Sequence, residues 1–157
     1  MAVASSAHDG VQFTVDSGAS HHMASDPRLF TNLQDCGPKT VRLGDSHEVT
    51  FSQQGTVDLL TRIPDVDAPV WMRLTNVLLV PSIGMNILSV NCLNSNGISV
   101  NFSRGKCRLT DDTDGDRLLA VGSCAADGLF WVKTSPRPAH MNVASTCLLY
   151  TSDAADD

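Results

Sequence analysis

The chain has 157 residues, 42% of them hydrophobic and only 5% aromatic, enough for one modest domain whose core must be filled mainly by Val, Leu and Ile. Its formal net charge is −6; Asp153, Asp156 and Asp157 supply half of that, and no run of Lys or Arg offsets it, which argues against a surface made to hold phosphates. Five scattered cysteines (Cys36, Cys92, Cys107, Cys124 and Cys147) without a CxxC spacing exclude a zinc knuckle or disulfide framework and suit free thiols in a reducing compartment.

Residues 1–10 are small and polar and read as a linker, with neither a basic start nor an apolar stretch of the kind a secretory signal carries. Strand-like sequence begins at Val11 and runs through Phe13-Thr14-Val15 into Asp16-Ser17-Gly18, and Pro27 interrupts the chain beyond it. Val41-Arg42-Leu43 alternates into a turn at Gly44-Asp45-Ser46, the alternation resumes from His47 to Phe51, and Thr56 to Leu60 gives a further strand. After a turn rich in Pro and Asp, Val70 to Val80 is the longest apolar β-rich stretch, closed by Pro81. Asn86 to Asn94 is the one helix candidate, with Ile87, Leu88, Val90 and Leu93 on one face and Gly97 as its stop. A hairpin across Arg104-Gly105, an acidic turn from Asp111 to Asp116, and short strands at 118–121 and 129–132 complete the pattern. Many short strands and one short helix describe a small, mostly β barrel. Periodicity ends at Thr134. Residues 147–157 resemble an in-frame translation of a tagmentation sequencing adapter, and the reading is that they are an assembly artefact. No apolar run reaches membrane-spanning length.

Asp16-Ser17-Gly18 is the string with chemical promise. A β-branched strand feeds the aspartate, Gly18 permits a tight loop, and small Ala19 follows, so the carboxylate can sit at a cleft base among backbone amides and the Ser17 hydroxyl. The same string can also be an aspartate in a plain turn, and chance alone places one in roughly one chain in fifteen of this length. His21-His22 suggests a metal, but adjacent residues of a strand point to opposite faces, so no metal or cofactor site is expected. Ser20 with His21 as nucleophile and base is set aside because sequence neighbours seldom align for that chemistry.

A second element lies downstream, where Ser82-Ile83-Gly84-Met85-Asn86-Ile87-Leu88 follows the long apolar strand. Together the two resemble retroviral-type aspartic proteases, in which an Asp-(Ser/Thr)-Gly-Ala loop is underpinned by a later hydrophobic-Gly segment leading into a helix. The likeness extends to the protease region of copia-type retrotransposon Pol polyproteins. It is carried by Asp16-Ser17-Gly18-Ala19-Ser20-His21-His22-Met23, Val41-Arg42-Leu43-Gly44-Asp45-Ser46, Gly55-Thr56-Val57, Asn76-Val77-Leu78-Leu79-Val80-Pro81, Asn86-Ile87-Leu88-Ser89-Val90 and Gly128-Leu129-Phe130. The His and Cys zinc pattern expected further along such polyproteins is not present after Trp131.

The resemblance implies a mostly β, closed retropepsin-like acid-protease barrel with one short helix and one lobe per chain. Residues 11–112 would form the protease domain, and 113–146 the barrel end and the start of a pre-integrase segment. It implies an aspartic endopeptidase that cuts its own polyprotein, with Asp16 catalytic, Ser17, Gly18 and Ala19 shaping the loop, and Ile83-Gly84 packed beneath it. Peptide hydrolysis by carboxylates needs two that share a proton. Since neither Asp45-Ser46-His47 nor Asp112-Thr113-Asp114 repeats the motif, the second Asp16 would come from another copy across a two-fold axis. The flap would be the turn at Gly44, Asp45 and Ser46, with Gln53-Gln54-Gly55 as the other candidate. The partners implied are a second copy and a polyprotein peptide, with no membrane and no direct nucleic acid, inside the cell in the cytoplasm and virus-like particle of such an element. The alternative is a decayed barrel that folds and pairs but no longer cuts.

Overall fold

The computed structural model describes residues 10–43, 45–136 and 149–151. The strands are β1 (Val11–Asp16), β2 (Met23–Ala24), β3 (Phe30–Arg42), β4 (Glu48–Thr61), β5 (Val70–Leu79), β6 (Ile87–Ser89), β7 (Ile98–Ser103), β8 (Lys106–Asp111), β9 (Arg117–Cys124), β10 (Phe130–Pro136) and β11 (Leu149–Thr151). One short helix, α1 (Val90–Ser95), and 3-10 turns at Pro27–Leu29 and Pro81–Ile83 stand between them. The strands form one sheet in the order β3-β4-β5-β2-β6-β1-β10-β9-β8-β7. A further pairing joins β10 back to β4, and β11 lies parallel to β5. The domain is therefore mostly β and barrel-like.

Two apolar clusters fill it. The larger gathers Phe13, Val15, Val57, Leu59, Leu74, Leu88, Leu93, Leu109 and Val132 from both halves of the sheet. The smaller joins Ala19, Met23, Phe51, Leu78, Val80 and Ile87, with Val41, Leu43, Val49, Ile83 and Met85 against it. Burying a full-sized aliphatic side chain stabilises by about 1.5–3 kcal/mol, so the sparse aromatics are made up for by number.

The expected hairpins form, but the strands are longer than local patterning shows. The runs from His47 and from Thr56 merge into the single strand β4, pairing with β3 from Arg42↔Glu48 back to Phe30↔Val57. Where β4 crosses β3 at Gly55, a Cβ would stand 1.7 Å from the carbonyl oxygen of Asn32, so only glycine fits that approach. On the other side of β4, the register against β5 shifts between Gly55 and Val57, opposite Asn76 with its positive φ of 56°. That bulge lets Leu74 and Val77 both face the core. The Arg104-Gly105 turn has φ of 53° and 76°, the left-handed pair a two-residue hairpin of the right twist requires.

The helix differs from expectation. Ile87–Ser89, predicted as its first turn, is a strand parallel to β1, pairing Thr14↔Ile87, Val15↔Leu88 and Asp16↔Ser89. Burial of Ile87 and Leu88 in the sheet outweighs the local helical pattern. The helix starts only at Val90, where the Ser89 hydroxyl accepts from the Cys92 N–H at 3.1 Å. Beyond residue 112, in the stretch read as the barrel end, β9 and β10 continue the sheet, and β10 bonds β1 from Val11↔Thr134 to Thr14↔Trp131. Residues 1–9, 137–148 and 152–157 lie outside the described residues. Of the stretch read as adapter, the described part, Leu149–Thr151, pairs with Trp71–Arg73. Among the described residues no helix is long and apolar enough to cross a membrane.

Candidate active site: a carboxylate loop held between parallel strands

Asp16 ends β1, half-buried, beside Ser89 on the parallel strand β6. The chain then turns sharply, and the Gly18 N–H donates to Asp16 Oδ1 at 2.7 Å. Ser17 and Gly18 are exposed, whereas Ala19 is buried. The carboxylate is thus fixed by its own loop, with its other oxygen directed away from that bond.

Ser89 secures the far side of the loop. Its hydroxyl donates to the Ala19 carbonyl at 2.7 Å, and its backbone N–H donates to Nδ1 of His22 at 3.0 Å. Cys92 Sγ contacts the Ser20 carbonyl at 3.3 Å. Asn86 anchors the strand that carries the aspartate. Its carbonyl accepts from the Thr14 N–H at 2.9 Å, its Nδ2 donates to the Gln12 carbonyl at 3.1 Å, and its Oδ1 accepts from the Ser25 N–H at 3.1 Å. Sequence reasoning missed the roles of Asn86 and Ser89, although both stand in the Asn86-Ile87-Leu88-Ser89-Val90 string it singled out.

His22 is 1% exposed. Burial, helped by the neighbouring His21, lowers its pKa from 6.5 to about 4. Because Nδ1 accepts from a backbone amide, the ring is neutral with its proton on Nε2, and Nε2 is enclosed without a hydrogen-bond partner. His22 is therefore a strut of the loop and has no nitrogen to share with an ion. Among the described residues no group of three or more His, Cys, Asp or Glu is placed to hold a metal. Ser20 Oγ and His21 Nδ1 do meet, at 2.9 Å, which adjacency in sequence argued against. Both are exposed or half-exposed, and among the described residues no carboxylate bonds the His21 ring to orient it as a nucleophile's base requires.

The segment paired alongside the aspartate's strand is Ile87–Ser89. Ile83 closes the 3-10 turn Pro81–Ile83 and packs on the cluster that contains Ala19. Gly84, at φ 66°, reverses the chain with open space around it. A glycine in a left-handed turn and a glycine under a loop leave the same mark in sequence.

Asp45 and Ser46 lie at the tip of the β3–β4 hairpin, as the turn residues predict; Gly44 is outside the described residues. Ser46 has φ 71°, the Leu43 N–H donates to the His47 carbonyl at 2.6 Å, and the His47 N–H donates to Asp45 Oδ1 at 2.9 Å. The alternative flap position, Gln53-Gln54-Gly55, is inside β4 and forms no turn. Between the tip and the Pro81–Ile83 turn lies a cavity of about 590 Å³ whose lining includes Leu43, His47, Val49, Ile83 and Met85. The loop's Ala19, the hairpin's Phe51 and Val49, and the turn's Ile83 and Met85 share one apolar cluster.

Comparison with known proteins agrees with this architecture. Residues 13–98 match the family described as the Pol polyprotein, beta-barrel domain. The chain is 36% identical over 110 residues to the retrovirus-related Pol polyprotein from transposon RE1 of Arabidopsis thaliana, covering 67% of this chain and 7% of that protein. It is 33% identical over 119 residues to the corresponding polyprotein from transposon RE2 of the same plant, covering 73% of this chain and 8% of that protein. The chain thus spans less than a tenth of the curated relatives it matches. No solved structure matches it.

Proposed function

This chain belongs to the Pol polyprotein β-barrel domain family, and we propose that it is the aspartic protease lobe of a copia-type retrotransposon polyprotein, active as a homodimer. The observation that carries the reading is the setting of Asp16. A loop carboxylate with one oxygen held by the Gly18 amide ends a strand braced by Ser89 on its parallel neighbour. A hairpin then shares an apolar cluster with the residue that follows the loop. The β10–β4 pairing supports a closed, retropepsin-like lobe.

The chemistry follows from charge. Two aspartates brought together cannot both ionise easily, so the pair holds one proton. The ionised member takes a proton from water as the water attacks the scissile carbonyl carbon, while the protonated member donates a hydrogen bond to the carbonyl oxygen and stabilises the developing oxyanion. The chain has one Asp-Ser-Gly string, so the second Asp16 belongs to a second copy, and the two-fold axis passes between the loops. The hairpin tip at Asp45-Ser46 would close over a peptide of the polyprotein and exclude bulk water.

The test is cleavage of peptides spanning the polyprotein's junctions by the folded chain and by Asp16→Asn, with a statine-type inhibitor. Cutting that disappears in Asp16→Asn and with inhibitor is expected. Cutting that persists in Asp16→Asn removes Asp16 as catalyst. A folded, dimeric chain that never cuts makes this a decayed barrel whose role is structural.

A further inference from the structure

Away from the carboxylate loop, the outer face of four adjacent strands carries an uncompensated positive row. Lys106 of β8 stands opposite Ser123 of β9, Ser123 opposite Trp131 of β10, and Lys133, two residues beyond Trp131, opposite Gln12 of β1. Side chains at alternate positions share a face, and the intervening Phe13, Cys107 and Val132 are the ones buried in the core. These residues line a cavity of about 410 Å³, overhung by Arg62 from the end of β4. Arg108, two residues along β8 from Lys106, is exposed on the same side.

Charge makes this face unlike the rest of an acidic molecule. No Asp or Glu lines the cavity, and the chain's ion pairs among the described residues use Arg28, Arg42 and Arg73, leaving Arg62, Lys106 and Lys133 outside them. Lys106 Nζ donates only to a neutral hydroxyl, that of Ser123, at 3.1 Å. The nearby acid, Asp127, sits in the β9–β10 turn and accepts from Trp131 Nε1 at 3.4 Å, fixing the indole at the cavity edge. Four strands spaced about 4.8 Å apart span roughly 14 Å, a track for a chain of charges.

We propose that this face binds single-stranded nucleic acid, with Arg62, Lys106 and Lys133 on successive phosphates and Trp131 as a platform for a base. A sheet face that combines cations with an aromatic side chain suits that ligand, because phosphates take the charge and any base can stack. An acidic peptide would use the cations and leave the indole idle. The face lies on β8–β10 and β1 and is independent of the protease reading.

The experiment is fluorescence polarisation of a fluorescein-labelled oligouridine with the full chain across a salt series, with polyglutamate as competitor. Lys106→Glu/Lys133→Glu should weaken binding at least about tenfold and reduce the log–log salt slope by about 1.4, about 0.7 for each phosphate no longer neutralised. Trp131→Phe should retain binding that Trp131→Ala loses. Lys39→Glu, a charge reversal on the distant hairpin strand β3, should leave binding unchanged. Absence of salt-sensitive binding overturns the proposal, as does a double variant, folded by circular dichroism, that binds like the parent. Preference for polyglutamate makes the face a peptide surface and overturns it too.

Discussion

The backbone N–H of Ser89 donates to Nδ1 of His22 at 3.0 Å, inside the protein, across 67 residues of sequence. The same serine's hydroxyl reaches the Ala19 carbonyl, so the carboxylate loop is held at two points by one residue of β6. The first attachment depends on a neutral imidazole. A protonated His22 would have two N–H groups, would lose its acceptor, and would bury a charge with no partner.

Stability should therefore fall with acid through His22. Its folded pKa is about 4 against 6.5, so between those values the unfolded chain binds more protons than the folded one. The contribution is complete above pH 6.5 and declines as pH drops toward 4, and the loss reaches about 3 kcal/mol once both states are protonated. Asp26, whose carboxyl is lowered by its Arg28 hydrogen bond, acts only below its ordinary 3.8 and leaves this window clear. Urea unfolding from pH 7 to 4 should show the decline in the parent and a flattened profile in His22→Gln, which keeps an acceptor for Ser89. Equal slopes in both proteins would count against His22 as the titrating group.

Ser89→Ala removes the hydroxyl that donates to Ala19 and caps α1. Losing an N-cap and leaving a buried carbonyl without its donor costs about 1–3 kcal/mol. If the loop carries catalysis, peptide cleavage by the remaining folded protein should fall further than stability alone accounts for. Denaturant titration run beside single-turnover cleavage separates the two. A variant with parental stability and cleavage would show that the Ala19 hydrogen bond is dispensable.

Much of this was legible from pattern. The Asp16 loop, the tip at Asp45-Ser46, the hairpin at Arg104-Gly105 and the apolar strand ending at Pro81 each carry turn or β signals that act locally. What escaped was set by pairing at a distance. Ile87 and Leu88 have helical spacing, yet parallel pairing with Thr14 and Val15 makes them a strand, and no short-range rule records a partner 73 residues away. Gly84 drew attention as the glycine expected beneath the loop. The position paired with Asp16 is Ser89, which supplies hydrogen bonds that no local pattern announced.

Gly55 offers a test of the fold without reference to function. A methyl group there would meet the Asn32 carbonyl oxygen at 1.7 Å and its carbon at 2.8 Å, and both belong to backbone that cannot rotate aside. Gly55→Ala should therefore separate β3 from β4 locally and cost at least about 1–3 kcal/mol, the range for overpacking. Gly37→Ala, with open space around the site, has only the backbone strain of its φ of 78° to overcome. Thermal unfolding of the two should place Gly55→Ala well below Gly37→Ala. The reverse order would mean that the β3–β4 crossing is looser than its geometry.

Asp58 and Arg73 face each other across β4 and β5, with Nε to Oδ1 at 2.7 Å and Nη2 to Oδ2 at 3.1 Å. Asp58 is 1% exposed while the Arg73 side chain keeps 32% of its surface, so the two partners are unequal. Removing the arginine takes an ion-pair partner from a carboxylate deep in the interior, whereas removing the aspartate takes one from a guanidinium that lies nearer the surface. Breaking a buried pair typically costs about 3–5 kcal/mol, and the asymmetry places Arg73→Met at the upper end and Asp58→Leu at the lower. Urea unfolding of both single variants beside the parent measures this directly. An equal cost for the two would mean that the pair is solvated more evenly than its burial indicates.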